Sequence, residues 1–190
     1  MTGNELYRSV MHLGYARSLD DLEGLFYEAA NLAIRRICRQ FPIERYKIVT
    51  VPKTVGYYTP LSGKALDPRF LHFCALPLLE NGMPLSSGRD YILRGGDILI
   101  PAENTDRELL LCYVVSPRRL TEDCLEEEIT CREDAEHLLP LLTAAILWAQ
   151  DDEELSNRYH TLFRNAQAEL AVSRAPLHSS GYRVVGGWDR

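Results

Sequence analysis

The segment from residue 138 to residue 149 constrains the fold of this chain more than any other segment. Apolar residues occupy almost every side of a helix drawn through it, namely Leu138, Leu141, Leu142, Ala145, Ile146, Trp148 and Ala149. A helix without a polar side cannot lie on a protein surface, so the pattern predicts a helix in the middle of a bundle. Pro140 comes early in the segment and is expected to lie in the first turn or to kink the helix.

The flanks of this segment predict how the helix begins and which element comes after it. Thr130 and Glu133 match a capping box before it. After it, Asp151 and Asp152 interrupt the apolar run, and apolar residues return at helical spacing from residue 155 to residue 170. Because so few residues separate the two helices, we expect an antiparallel helical hairpin.

The first forty residues also have helical periodicity. A short helix is predicted first, which Gly14 can end, and its apolar stripe consists of Leu6, Val10 and Leu13. A longer amphipathic helix comes next, with Ser18 or Asp20 as its cap and Pro42 as its stop. Three arginines fall in its last turns, where cations interact favourably with the helix dipole: Arg35, Arg36 and Arg39.

Between residues 46 and 119 the helical periodicity is absent and a β structure is predicted. The candidate strands are 46–51, 55–59, 70–79, 91–93, 97–100 and 109–115. Turn signals separate several of them, at Asn81-Gly82, Ser87-Gly88 and Gly95-Gly96. The segment RDYILRGGDILIP is typical of a hairpin, since two glycines divide two alternating runs. These features predict a small antiparallel sheet or sandwich.

The predicted fold class is therefore α+β: an antiparallel helical bundle, made of N-terminal helices and a C-terminal helical hairpin, with an inserted antiparallel β block. The expected boundaries are 1–45 for the N-terminal helices, 46–119 for the β block, 120–174 for the helical hairpin and 175–190 for an extended arm. The arm contains three glycines, one proline and no amphipathic period, yet it is rich in large apolar residues. Such a terminus is expected either to dock on a neighbouring protein or to fold back on its own domain.

Composition limits the possible functions. The net charge is −6, and the densest basic features are the arginines of the long N-terminal helix and the pair Arg118-Arg119. A DNA-gripping protein needs a broad basic face, so direct DNA binding is not expected. No apolar run approaches the ~20 residues of a membrane span, and the N-terminus lacks the features of a secretory signal. The five cysteines form no CxxC pair, which predicts free thiols in a reducing cytoplasm.

Enzyme and metal signatures are weak. The motifs GxGxxG, HExxH and GxSxG do not occur. His72 and Cys74 would share one face of a strand and could begin a metal site, but they lack partners at a recognisable spacing. Cys124, Cys131 and His137 form an equally weak group near the penultimate helix. We therefore expect a non-enzymatic protein without a metal or a cofactor.

The C-terminal helices resemble a known family. The segment CREDAEHLLPLLTAAILWAQDDEELSNRYHTLFRNAQAEL is similar to the leucine-rich helix, acidic break and tyrosine-bearing helix of tailed-phage head-to-tail adaptor proteins, also called connector or neck proteins. The helix ending in Arg35-Arg36-Ile37 resembles their first long helix. GRDYILRGGDILIP is similar to a strand-rich insertion of short-tailed phage adaptors, and the glycine-rich tail resembles their docking arms.

This resemblance implies a structural virion protein, assembled in the host cytoplasm, at the head–tail junction. Its expected partners are other copies of itself in a ring, typically a dodecamer, the portal protein, and a tail or second connector protein. DNA would pass through the ring without specific binding. The expected interface residues are Tyr182, Arg183, Val184, Val185 and Trp188 in the arm, with Arg35, Arg36 and Arg39 as charged contacts.

Three alternative functions are also compatible with the sequence. The first is another phage neck, collar or baseplate subunit. The second is a cytoplasmic regulator that binds a partner peptide through an exposed strand edge of the β block. The third is a small hydrolase or metal enzyme built around His72 and Cys74.

Overall fold

The computed structural model describes residues 1–14, 19–53, 57–103 and 105–174. Within these residues the protein is mixed α+β, as the sequence predicts, with five α-helices and two antiparallel sheets. The helices are α1 (Gly3–His12), α2 (Leu19–Gln40), α3 (Gly63–Leu66), α4 (Leu138–Trp148) and α5 (Glu153–Arg174). The strands are β1 (Ile43–Val51), β2 (Tyr58–Ser62), β3 (Phe70–Glu80), β4 (Met83–Pro84), β5 (Ile92–Arg94), β6 (Asp97–Pro101) and β7 (Arg107–Val115).

The N-terminal helices begin and end close to the predicted signals. Thr2 caps α1 and forms a capping box with Glu5, which the sequence reading did not identify. Gly14 comes after α1 with a φ of +89°, a conformation that favours glycine at a helix end. Helix α2 already includes Asp20, so this residue is not its cap, and Ser18 lies outside the described residues. The helix ends at Gln40, two residues before Pro42.

Helix α4 lies in the middle of the helical layer, where it packs against α1, α2 and α5. Its buried residues point to different sides of the helix: Leu138, Leu139, Leu142, Thr143, Ala144, Ala145 and Leu147. Pro140 lies in the first turn, where its missing N–H removes no helical hydrogen bond. Asp152 caps the next helix, since its Oδ1 accepts a hydrogen bond of 3.0 Å from the Leu155 N–H.

The predicted capping box at Thr130 and Glu133 is wrong. Helix α4 begins at Leu138, and Glu133 instead starts a short 3-10 turn, Glu133–Ala135. Residue His137 precedes α4 without a side-chain hydrogen bond to the helix. The local pattern failed because the segment after Thr130 does not continue into a helix.

The β block contains two antiparallel sheets. Strand order is β1-β7-β3-β4 in the four-stranded sheet and β2-β6-β5 in the three-stranded sheet. The Asn81-Gly82 turn joins β3 to β4 with positive φ angles of 50° and 78°, and Gly95-Gly96 joins β5 to β6. The strand predicted at 55–59 begins only at Tyr58 and continues to Ser62, while residues 54–56 lie outside the description. Strand β4 was not predicted.

A single apolar core joins the helices to the strands. It includes Phe26 and Ile34 of α2, Leu142 of α4, and Leu78 and Leu111 of the four-stranded sheet. Because β1, β3 and β7 direct one face into this core, their opposite face points away from it. None of the helices in the described residues is long and apolar enough to span a membrane.

Candidate functional site

The structure places the three predicted interface arginines on the exposed side of α2. Arg35, Arg36 and Arg39 are all exposed near the C-terminal end of this helix. The predicted contact residues of the arm lie outside the described residues, namely Tyr182, Arg183, Val184, Val185 and Trp188. The helix therefore presents a basic surface at which contacts with another molecule can form.

Arg35 lies beside the second basic feature of the sequence. Together with Arg118 and Arg119 it lines a surface cleft of about 260 Å³ between α2 and the segment after β7. Arg118 forms an ion pair with Glu127. Within the described residues, neither Arg35 nor Arg119 forms such a pair. The cleft therefore offers two arginines to an acidic group on another molecule.

A buried asparagine holds the two walls of this cleft together. The Asn31 side-chain amide donates hydrogen bonds to the carbonyl oxygens of Tyr27, at 2.7 Å, and Leu120, at 2.8 Å. Its Oδ1 accepts a hydrogen bond of 2.8 Å from the Leu120 N–H. Because a buried amide must satisfy its donors and acceptor, Asn31 fixes the segment after Arg119 against α2.

Arg36 contributes to a basic surface toward α5 instead. Burial of the His160 ring lowers its pKa below 6.5, and the positive charges of Arg36 and Arg164 lower it further. The imidazole is therefore predominantly neutral at neutral pH. The three predicted arginines thus do not form one site, since Arg35 faces the cleft and Arg36 faces α5.

The face of the four-stranded sheet that points away from the core, which we call the outer face, carries exposed apolar side chains on β1 next to half-buried and buried ones on β7. Tyr46 and Ile48 of β1 are 60% and 63% exposed. In the strand register, Ile48 pairs with Leu110 of β7, which pairs with Leu79 of β3, so three apolar residues form a row across the sheet. Exposed apolar residues that are grouped on one face are typical of a contact site for another protein.

The sequence reading identified β1 as a strand but not its exposed apolar face. The signal was present, because the strand carries apolar residues on both sides. Val49 and Val51 enter the core, whereas Tyr46 and Ile48 lie on the opposite side. Such a strand is either buried on both faces or has one unpartnered apolar face.

Three potential metal ligands meet on the outer face. Side-chain ligand atoms of Glu44, Cys74 and Cys112 all lie within 4.8 Å of one another. His72, which the sequence reading paired with Cys74, is not part of this group, and its Nδ1 lies 2.9 Å from the Phe73 carbonyl oxygen. The strand register supplied the partners of Cys74, and spacing along the sequence could not reveal them.

The other cysteines also differ from the weak group considered in the sequence. Cys131 lies in hydrogen-bond contact with Cys38 of α2, not with Cys124. The Cys124 thiol lies within hydrogen-bond distance of Thr121 and donates to the Arg119 carbonyl oxygen. His137 is exposed. The described residues thus contain two thiol pairs: Cys131 with Cys38 of α2, and Cys74 with Cys112 on the outer face.

Comparison with models of known protein families finds no match for this chain. A comparison with curated protein sequences also finds no match. Functional proposals for the chain therefore rest on its own residues and surfaces.

Proposed function

We propose that this chain is a non-enzymatic structural subunit of a tailed-phage particle, which forms a ring joining the portal to the tail. The observation that supports the proposal best is the outer face of the four-stranded sheet. A folded chain that leaves Tyr46 and Ile48 more than half exposed on a rigid sheet gains free energy when another protein covers them.

In this proposal the helices form an antiparallel bundle that serves as the ring wall, and the β block is inserted between its N-terminal helices and its C-terminal hairpin. The enclosed position of α4 among three other helices agrees with this arrangement. The outer face would contact the adjacent subunit, and the arm at 175–190 would dock on the portal or on a neighbour. The basic cleft around Arg35 and Arg119 would receive an acidic group of one of these partners.

The location of the protein tests this proposal directly. An antibody raised against the chain should label particles in the source lysate at the head–tail junction, seen by immunogold electron microscopy. Label at a collar or baseplate would keep a structural role but move it to another part of the particle. Antigen that remains free in the cytosol, with no labelled particles, would overturn the virion assignment.

The contact role of the outer face has its own test. The substitution Ile48→Asp places a charge on the exposed row and should prevent ring formation, measured by native mass spectrometry and negative-stain microscopy. Val172→Asp is the matched control, because Val172 is also an exposed apolar residue but lies on α5. The control should assemble normally. Equal loss of assembly in both variants would show that added charge, not the outer face, is responsible.

A second candidate function is a cytoplasmic regulator that binds a partner peptide. One observation favours it: β1 is a nine-residue edge strand, paired only with β7 within the described residues. An extended peptide can add to such an edge through main-chain hydrogen bonds. A regulator would be monomeric or dimeric and absent from virions, so the labelling experiment and the oligomeric state together distinguish the two functions.

A further inference from the structure

Each of the three adjacent strands in the four-stranded sheet contributes one metal-ligating side chain to a single point on the outer face. Glu44 comes from β1, Cys112 from β7 and Cys74 from β3. Their ligand atoms lie within 4.8 Å of one another. Cys112 is buried, Cys74 is half-buried and Glu44 is exposed, so the group opens toward solvent on one side.

The strand register explains why these side chains converge. Tyr46 lies directly opposite Cys112, and Glu44 lies two residues along β1 on the same face. On the other side of β7, the pairing with β3 is irregular between Phe73 and Leu78. The last regular pair before it, Phe73 with Tyr113, leaves Cys74 next to Cys112 across the two strands, and the two thiols are in hydrogen-bond contact.

The chemistry of the group suits a thiophilic dication. Two thiols and one carboxylate are ligand types that such a cation accepts in proteins. Zinc binds thiolate sulfur at about 2.3 Å and carboxylate oxygen at about 2.0–2.2 Å in a tetrahedron. The ligand atoms of such a site are roughly 3.5–4 Å apart, so the observed group needs only a small contraction. Calcium and magnesium prefer oxygen ligands alone.

We propose that Glu44, Cys74 and Cys112 bind one zinc ion on the outer face of the sheet, with a water molecule as the fourth ligand. Binding exchanges the two thiol protons, which pass to solvent, for two zinc–sulfur bonds, and the carboxylate supplies the third protein ligand. The Tyr46 hydroxyl donates a hydrogen bond of 2.9 Å to the Glu44 carboxylate and orients it. The ion ties three neighbouring strands together beside the exposed apolar row.

Metal content of the full chain tests the site. Protein purified with a non-chelating reductant and supplied with zinc should hold one ion per chain, measured by mass spectrometry of metals after gel filtration. The variants Cys74→Ser and Cys112→Ser should lose it, and Glu44→Gln should weaken binding at least tenfold. The matched control is the double variant Cys38→Ser, Cys131→Ser, which removes the other thiol pair and should bind zinc normally.

A second measurement uses the wild-type chain, so it does not require that the cysteine variants fold. In the wild-type chain, zinc should protect Cys74 and Cys112 from iodoacetamide while leaving the alkylation of Cys131 unchanged. Cobalt in place of zinc should give a thiolate-to-metal charge-transfer band in the near ultraviolet. Tyr46→Phe should keep the stoichiometry but weaken the affinity about tenfold, as expected for a residue that only positions a ligand.

Three results would overturn the proposal. One is zinc bound at well below one ion per chain. Another is zinc retained when Cys74 and Cys112 are both replaced, and a third is zinc lost only from the Cys38, Cys131 control. Failure of the phage assignment would leave the site unaffected, because the ligand geometry does not depend on what covers the outer face.

Discussion

Helix α4 and strand β1 both carry apolar residues on opposite sides, but the chain encloses only one of them. Helices α1, α2 and α5 surround α4, and most of its residues are buried. Strand β1 buries Val49 and Val51 in the core and leaves Tyr46 and Ile48 exposed on the outer face. The same kind of pattern therefore leads to two outcomes within one chain.

The difference shows what all-round hydrophobicity means in each element. Three other helices of the same chain cover α4, so its apolar residues stabilise the folded chain. Strand β1 has β7 at one edge and the core on one face, and it leaves Tyr46 and Ile48 exposed on the other face. Its second apolar face adds little to folding and is available for association.

The largest expected effect is the difference in stability between truncating a buried side chain of α4 and truncating an exposed side chain of β1. Leu142→Ala removes a fully buried side chain from α4 and should cost about 3 kcal/mol of unfolding free energy, because a cavity remains. Ile48→Ala should change it by less than about 0.5 kcal/mol. Urea unfolding of the dilute, purified chain measures both. Equal losses of unfolding free energy would mean that the outer face is covered within the chain and contributes to folding as α4 does.

Local elements of the fold could be predicted from the sequence. Apolar spacing located α1, α2, α4 and α5, and alternation with glycine turns located most strands, because these signals act between residues a few positions apart. The capping box at Thr130 and Glu133 shows the limit of such signals. A cap motif has a structural effect only when a helix comes directly after it, and there the chain forms a short 3-10 turn.

The candidate sites could not be predicted in the same way, since non-local pairing creates them. Sheet order places β7 between β1 and β3, which brings Cys112 and Glu44 to Cys74. The Asn31 hydrogen bonds bring Arg119 beside Arg35. Neither juxtaposition leaves a spacing signature in the sequence. The sequence pattern indicated Cys74 and Arg35 as candidate site residues but did not identify the residues that lie beside them.

The two thiol pairs, one at α2 and one on the outer face, are expected to differ in their rates of alkylation. A hydrogen bond from Cys38 lowers the pKa of Cys131, whereas burial raises that of Cys74 to about 12. Both thiols are half-buried, so thiolate content should decide their rates. In metal-free protein near neutral pH, iodoacetamide should modify Cys131 about tenfold faster than Cys74 or more.

Peptide mapping by mass spectrometry over a time course measures the two rates. Cys38→Ala is the control, since it removes the hydrogen bond that favours the Cys131 thiolate and should slow alkylation of Cys131 toward that of an ordinary thiol. Faster modification of Cys74 in the wild-type chain would contradict the proposed order of thiolate content.

Replacement of a buried hydroxyl in α4 is expected to have a smaller effect on stability. The Thr143 side chain is fully buried, and its hydroxyl has no hydrogen-bond partner among the described residues. Thr143→Val replaces this hydroxyl with a methyl group of similar size and should stabilise the chain by about 1 kcal/mol in urea unfolding. Thr161→Val on α5 is the control, because Thr161 is exposed and donates to the Asn157 carbonyl oxygen at 2.9 Å. A destabilised Thr143→Val variant would reveal a partner for the hydroxyl.

The smallest expected effect concerns an ion pair that joins the end of β3 to the start of β7 in the same sheet. Arg107 donates two hydrogen bonds of 2.8 Å to the Glu80 carboxylate and lowers the pKa of that group below 4.5. A lowered pKa in the folded state stabilises the chain above pH 4.5, and this contribution is lost as the pH falls through the folded-state value. Glu80→Gln should therefore cost about 1 kcal/mol or less near neutral pH, and the difference from wild type should shrink in acid. Urea unfolding across this range measures it, with the exposed Glu108→Gln as control; a difference that stays constant with pH would assign the effect to packing.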